Sequence, residues 1–190
     1  SDAPDDLIPQ FEYIRKSVVA FNLPCIELIN YEADDLIATY TDQILKKGAK
    51  VTIVSSDKDL MQLYKKDVRI YDPMKNKFIS DKDVLDKFGV DASKVIDVQS
   101  LAGDSSDNVP GVPGIGVKTA AELINHYGTL EKLLDKAHEI KQNKRRETII
   151  ANKDKALISK KLVTLEKKVP IKNKIEEFKF KIIDKDKLYK

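Results

Sequence analysis

The sequence predicts a mostly parallel α/β sheet followed by an all-helical half that carries a helix-hairpin-helix. Three observations lead there. Short β-branched runs alternate with helical periodicity through about residue 93, the pattern of a parallel sheet with crossover helices. From Lys94 onward the apolar spacing is helical only. A glycine hairpin, Gly111-Val112-Pro113-Gly114-Ile115-Gly116-Val117-Lys118-Thr119-Ala120, interrupts that second half.

Leu7, Phe11, Ile14, Val18 and Phe21 recur at three- and four-residue steps and predict a first helix that stops near Asn22, ahead of Pro24. Cys25-Ile26-Glu27-Leu28 is a short strand candidate, with Cys25 expected in the core. A second helix begins near Glu32, with Ala33, Leu36, Ile37, Tyr40 and Ile44 as its apolar stripe and Gly48 placed to end it. Val51–Val54 is a β-branched run expected to be a buried strand. After Ser55-Ser56-Asp57 a short helix takes Leu60, Met61 and Leu63, and Val68–Tyr71 is another strand. Asp72-Pro73 and Lys75-Asn76-Lys77 turn the chain into Phe78-Ile79. Ser80 with Asp83 forms a capping-box pattern for a helix to Phe88. Beyond the hairpin, helices are expected over Thr119–Tyr127, Leu130–Ala137, about Asn143–Ala151 and Asp154–Leu165. The alternating Phe178–Ile182 stretch fits a strand or a connector.

Composition narrows the class. No apolar run approaches the ~20 residues that span a bilayer, and the N-terminus lacks signal-peptide character. One cysteine excludes an internal disulfide framework and suits a reducing compartment, so a cytoplasmic protein is expected; a monomer is expected as well. The net charge of +3 conceals a polarity: residues 1–117 hold 14 Lys+Arg against 20 Asp+Glu, and residues 118–190 hold 20 against 11. An acidic half for metal and a basic half for phosphate is one account, and solvated lysine faces are the plainer one. Two distant histidines make a zinc site improbable: His126 suits a helix C-terminus, and His138 has no ligand pattern around it.

Three acidic clusters stand at element boundaries: Glu32-Ala33-Asp34-Asp35, Asp57-Lys58-Asp59 and Asp104-Ser105-Ser106-Asp107. Each has a plainer structural account. The first can serve a helix dipole, Asp57 can cap a turn, and Asp104 with Asp107 can be a polar turn. Helix geometry puts Glu32 and Asp35 on one face and Asp34 on another, so one of them is expected to serve outside the ligand set. Jointly the clusters point to one pocket. Two bare carboxylates about 4 Å apart repel by roughly 4 kcal/mol at an effective dielectric of ~20. Such a pocket takes protons or a hard cation, and carboxylate oxygens suit magnesium or manganese.

The hairpin is not a Walker A loop, because it lacks the four-residue spacer before Gly-Lys-Thr, and it lacks the full dinucleotide glycine pattern. Gly114 and Gly116 permit a tight turn and close backbone approach, Pro113 fixes the entry, and Lys118 adds a charge. Such a turn grips phosphate without reading sequence. A simple helix-helix turn is the alternative.

Tyr31-Glu32-Ala33-Asp34-Asp35, Ser56-Asp57-Lys58-Asp59-Leu60, Leu101-Ala102-Gly103-Asp104-Ser105-Ser106-Asp107-Asn108-Val109-Pro110-Gly111 and Gly114-Ile115-Gly116-Val117-Lys118-Thr119-Ala120 together resemble the 5′-nuclease domain of bacterial DNA polymerase I, in the flap endonuclease superfamily. The resemblance runs from about Pro4 to Lys168, with motifs in the family's order. It implies a PIN-like α/β domain over 1–93, a helix-hairpin-helix domain over 94–170 and the start of a connector over 171–190. It implies metal-dependent hydrolysis of DNA near a 5′ end or flap. Glu32, Asp34 and Asp35 would serve mainly a first Mg2+ or Mn2+, and Asp57, Asp59, Asp104 and Asp107 a second. Gly111, Gly114, Ile115, Gly116, Lys118 and Thr119 would hold duplex DNA, with a K+ ion on hairpin carbonyls. The family's first strand, with its metal-binding aspartate, and its helical arch do not precede Pro4 here, so weak or absent cleavage by this chain alone is expected. Two other readings fit parts of the pattern. One is a duplex-binding module without catalysis. The other is a receiver-like phosphoryl-transfer domain, which the all-helical second half opposes.

Overall fold

The computed structural model describes residues 4–183 and 185–188. Its helices and strands begin where local chemistry starts them. Helix α1 spans Gln10–Ala20, and α2 spans Ala33–Lys46, with Glu32 as the extended residue before it. Gly48, at φ +74°, closes α2 in the left-handed conformation the sequence anticipates. Strand β1 is Val51–Val54, a one-turn 3-10 helix covers Asp59–Leu63, β2 is Val68–Asp72 and β3 is Lys77–Phe78. Ser80 Oγ accepts from the Asp83 amide and Asp83 Oδ2 accepts from the Ser80 amide, closing the predicted capping box of α3, Asp81–Phe88. The helical half follows as α4 Val95–Ala102, α5 Val117–Tyr127, α6 Leu130–Asp135, α7 Asn143–Ala151 and α8 Lys153–Val163.

Among the described residues the sheet has three strands in the order β1-β2-β3. β1 and β2 are parallel, with Val51 opposite Val68 and Val54 opposite Tyr71, and β3 is antiparallel to β2. One apolar cluster joins Ile53, Leu60, Val68 and Ile70 to Val98, Leu101, Ile124, Leu133 and Ala156. The α/β half and the helical half therefore share a core, and both sides of the acidic region rest on the same packed base. α4 lies at the centre of it: its Val95, Val98 and Leu101 are fully buried.

Three expectations need correction. Cys25–Leu28 is not a strand, and Cys25 is exposed rather than buried. β1 is an edge strand, and no described strand pairs with its free side, residues 25–28 included. For the same reason Val51–Val54 is not a buried run. Only Ile53 is enclosed, and Val54 is 64% exposed. That free edge and α2 border an apolar groove with Ile26, Ile37 and Phe178 on its walls. Of the two readings of Phe178–Ile182 the strand is not formed: a 3-10 turn covers Ile175–Phe178, where Phe178 sets its ring edge-to-face on Tyr40 at 5.0 Å, and residues 179–183 are exposed.

Candidate metal centre and hairpin

The second and third acidic clusters meet. The 3-10 turn after β1 carries Asp59, and the loop after α4 carries Asp104 and Asp107. One carboxylate oxygen from each of the three lies within 4.8 Å of the others. Oxygens that share one hard cation at roughly 2.1–2.6 Å stand at most about 5 Å apart, so the spacing fits such an ion.

Local bonds fix each ligand. Asp57 Oδ1 accepts from the Asp59 amide at 2.9 Å, and Ser55 Oγ accepts from the Asp57 amide at 3.0 Å. These two short loops aim the acidic turn off the end of β1. Gln99, buried in α4, donates from Nε2 to Asp59 Oδ1 at 2.5 Å. Its own Oε1 is buried without a partner. Asp104 Oδ1 accepts from the Ser106 amide at 2.9 Å, and the Lys58 ammonium donates to Asp104 Oδ2. The Asp104 and Val109 backbones exchange hydrogen bonds at 3.0 and 2.8 Å, which closes the loop around Asp107.

Electrostatics tie the first cluster to this centre. Burial pushes the Asp34 carboxyl up to about 6, and the charges of Asp57, Asp59, Glu32 and Asp35 add to the effect. Burial raises Asp59 as well, partly opposed by the Gln99 hydrogen bond. The Lys58 hydrogen bond holds Asp104 below the usual carboxylate range, and that same bond raises Lys58.

Asp35 turns elsewhere. Its Oδ2 accepts from the Glu32 amide at 3.4 Å and its Oδ1 from the Glu166 amide at 2.8 Å. Beside it, Thr39 Oγ1 donates to Glu166 O and accepts from the Val169 amide. Asp35 thus pins the chain that leaves α8 against α2.

The hairpin leaves α4 through a contact that only glycine tolerates. Gly103 and Gly111 both have positive φ, and a Cβ on Gly111 would meet the Gly103 nitrogen at 2.5 Å. The Val112 amide donates to Leu101 O at 2.8 Å, and the Gly111 amide donates to the buried Ser159 Oγ at 2.9 Å. The Gly111 amide is therefore not offered to a phosphate. Ile115 is 6% exposed and its amide donates to Val112 O, so it packs rather than presents. Gly114, Gly116 and Lys118 are exposed, Thr119 partly so. The first amides of α5, at Val117, Lys118 and Thr119, lack intrahelical partners by the geometry of a helix start.

Sequence reasoning missed four participants: Gln99, Ser159, the Lys58–Asp104 pair and Asp72. Asp72 is buried at the end of β2, where it accepts from Ser56 Oγ at 2.6 Å and from the Met74 and Lys75 amides. A signal for Gln99 existed, since it is the polar residue inside the apolar stripe Val95, Val98, Leu101, Ala102.

Carboxylates gathered beyond a strand end, one loop away from a glycine hairpin that opens a helix, define a class of two-part protein with hard-cation donors beside a phosphate-type turn. Comparison with known families makes the assignment specific. The N-terminal resolvase-like domain of 5′-3′ exonucleases matches residues 1–89, and the 5′-3′ exonuclease C-terminal SAM fold matches residues 90–186. The chain belongs to the 5′-3′ exonuclease family. It is 58% identical over 171 residues to DNA polymerase I of Rhizobium leguminosarum, covering 90% of this chain and 17% of that protein. It is 38% identical over 186 residues to a 5′-3′ exonuclease of Aquifex aeolicus, covering 98% of this chain and 63% of that protein. The chain thus spans about a fifth of the DNA polymerases it matches, 17% of the Rhizobium protein and 22% of that of Bacillus subtilis. The T5 D15 protein co-crystallized with metal ions has the same fold, with a TM-score of 0.76 at 23% identity over 86% of this chain and 64% of that one. The catalytic core of Rad2 in complex with DNA substrate gives a TM-score of 0.60 at 18% identity, over 99% of this chain and 64% of that one. Among the described residues no helix is long and apolar enough to cross a membrane.

Proposed function

We infer that this chain is the metal-holding and DNA-gripping part of a 5′-3′ exonuclease or 5′-flap endonuclease that hydrolyses DNA phosphodiesters near 5′ ends in replication and repair. The observation that carries this reading is the convergence of Asp59, Asp104 and Asp107 within 4.8 Å, one loop from the exposed start of α5. The Aquifex relative, a 5′-3′ exonuclease, supports the activity. The T5 structures with metal ions and the Rad2 complexes with DNA substrate agree with the ligands.

Asp59, Asp104 and Asp107 would hold Mg2+ or Mn2+, and Glu32, Asp34, Asp35 and Asp57 are the remaining carboxylate candidates. When bound, the ion would supply Lewis-acid stabilisation of charge on the scissile phosphate. The chain's own residues set the geometry: Gln99 orients Asp59, and the Asp104–Val109 bridge orients Asp107. Gly114, Gly116, Lys118 and Thr119 would take the phosphates of duplex DNA, with K+ on hairpin carbonyls. Charge contacts of this kind carry no sequence preference and weaken with salt. The division at about residue 93 separates an α/β unit from a helical unit, and the chain would act as a cytoplasmic monomer.

A second reading has its own observation. Both Asp35 oxygens accept from backbone amides, which ties Asp35 to the chain after α8 and would weaken the first ligand group. On that reading the chain grips DNA and one cation with little cleavage.

A labelled 5′-flap duplex, incubated with Mg2+ or Mn2+, tests both. Slow metal-dependent cleavage that chelator and Asp104→Asn abolish supports the nuclease. Binding without cleavage supports the module, and cleavage that survives Asp104→Asn would overturn the site. In the binding assay Gly116→Val should cost more affinity than Lys118→Ala. Gly116 is extended, with nothing within 4 Å of an added Cβ, so the fold accepts valine while the backbone approach is blocked.

A further inference from the structure

The Lys58 ammonium lies in the middle of the acidic centre, between Asp57 and Asp59 in sequence and on Asp104 Oδ2 in space. The pair is partly enclosed, the Asp104 side chain 12% exposed and that of Lys58 34%. The other oxygen of Asp104 is taken by the Ser106 amide. Each Asp104 oxygen therefore already accepts one hydrogen bond, and the ammonium puts a full positive charge on the carboxylate that would join Asp59 and Asp107 around a cation. Lys58 reaches this position on four methylenes from an exposed turn, and it borders two clefts. One is lined by Gln99, Gly103 and Ser105, the other by Asp57, Lys75, Lys87 and Asp107. Either can accommodate the ammonium once it leaves Asp104.

We propose that Lys58 is an exchangeable internal counter-cation of this centre. It neutralises Asp104 while no metal is present, and a divalent cation must displace it to complete the Asp59–Asp104–Asp107 set. The inference rests on the reading that these three carboxylates hold a divalent ion. Its physical basis is charge. Without a cation of some kind, three carboxylates within 4.8 Å repel one another. With a dication at carboxylate distance, an ammonium still hydrogen-bonded to the same oxygen would stand about 4–5 Å away. Even at the dielectric of bulk water, that repulsion weakens binding by on the order of tenfold. Lys58 therefore sets the affinity of the site and lowers the cost of keeping it empty.

The test is Mn2+ titration of the full chain, read by calorimetry and by the EPR signal of free Mn2+, with melting temperatures recorded with and without metal. Lys58→Met keeps the length and removes the charge. It should lower the metal-free melting temperature, bind Mn2+ about tenfold more tightly and show a larger metal-induced shift. Lys58→Arg keeps the charge and should bind Mn2+ no more tightly than wild type. A merely structural lysine would lower stability with no gain in affinity. If wild type binds Mn2+ and Lys58→Met binds it equally or more weakly, the exchange is overturned while the metal site stands. If wild type and Asp104→Asn both leave Mn2+ free, the metal reading falls and takes the exchange with it.

Discussion

Asp34→Asn should stabilise the protein at neutral pH. Asp34 lies in the first turn of α2, where a carboxylate ordinarily helps, yet burial and the charges of Asp57, Asp59, Glu32 and Asp35 push its carboxyl up to about 6 from its ordinary value of 3.8. The sign follows from proton counting. Between about 4 and 6 the folded chain holds this proton more tightly than the unfolded chain does, so the Asp34 contribution to stability falls as pH rises through that window. Above it the folded state carries the whole penalty, and below it none. A shift of this size would correspond to roughly 3 kcal/mol if fully expressed, and partial exposure with solvent screening reduces it to on the order of 1 kcal/mol. Asparagine is nearly isosteric and never charged, so it removes the penalty. The expected gain at pH 7 is about 1 kcal/mol, or ~2–4 °C in melting temperature for a chain of this size. The assay is a paired series of urea and thermal melts from pH 4 to pH 8, without divalent metal. The difference between variant and wild type should be full above pH ~6 and vanish near pH ~4. A variant less stable than wild type at pH 7, or a gain that does not change with pH, would refute the reasoning.

Two packing predictions concern the link between the acidic loop and the hairpin. Gly111→Ala should cost upward of about 3 kcal/mol, because it combines a positive φ with a Cβ 2.5 Å from backbone nitrogen. Gly114→Ala, also at positive φ but in open space, should cost only about 1 kcal/mol. Equal urea midpoints for the two would sink the close-approach argument. Ser159→Ala leaves the buried Gly111 amide without its acceptor and should cost ~1–3 kcal/mol; hydrogen exchange at that amide should rise, and unchanged protection would count against it.

The sequence by itself determined the elements and most of the chemistry, because those depend on neighbours close along the chain. The Ser80–Asp83 box started α3 as written, Gly48 ended α2, and the glycine hairpin opened α5 at Val117. Tertiary structure decided what each side chain faces. Asp34 and Asp35 are adjacent and chemically alike, yet one is half-buried in the field of Asp57 and Asp59 and the other accepts from the Glu166 amide, 131 residues away. Gly111 and Ile115 lie in the hairpin motif, but Ser159 and the core claim them. Cys25 looked apolar enough for a core and is exposed, because burial requires a partner surface and among the described residues none covers it. Periodicity reports which residues can be buried together on one element. Which distant amide, ammonium or strand meets them depends on how the elements pack, and a one-dimensional pattern does not carry that.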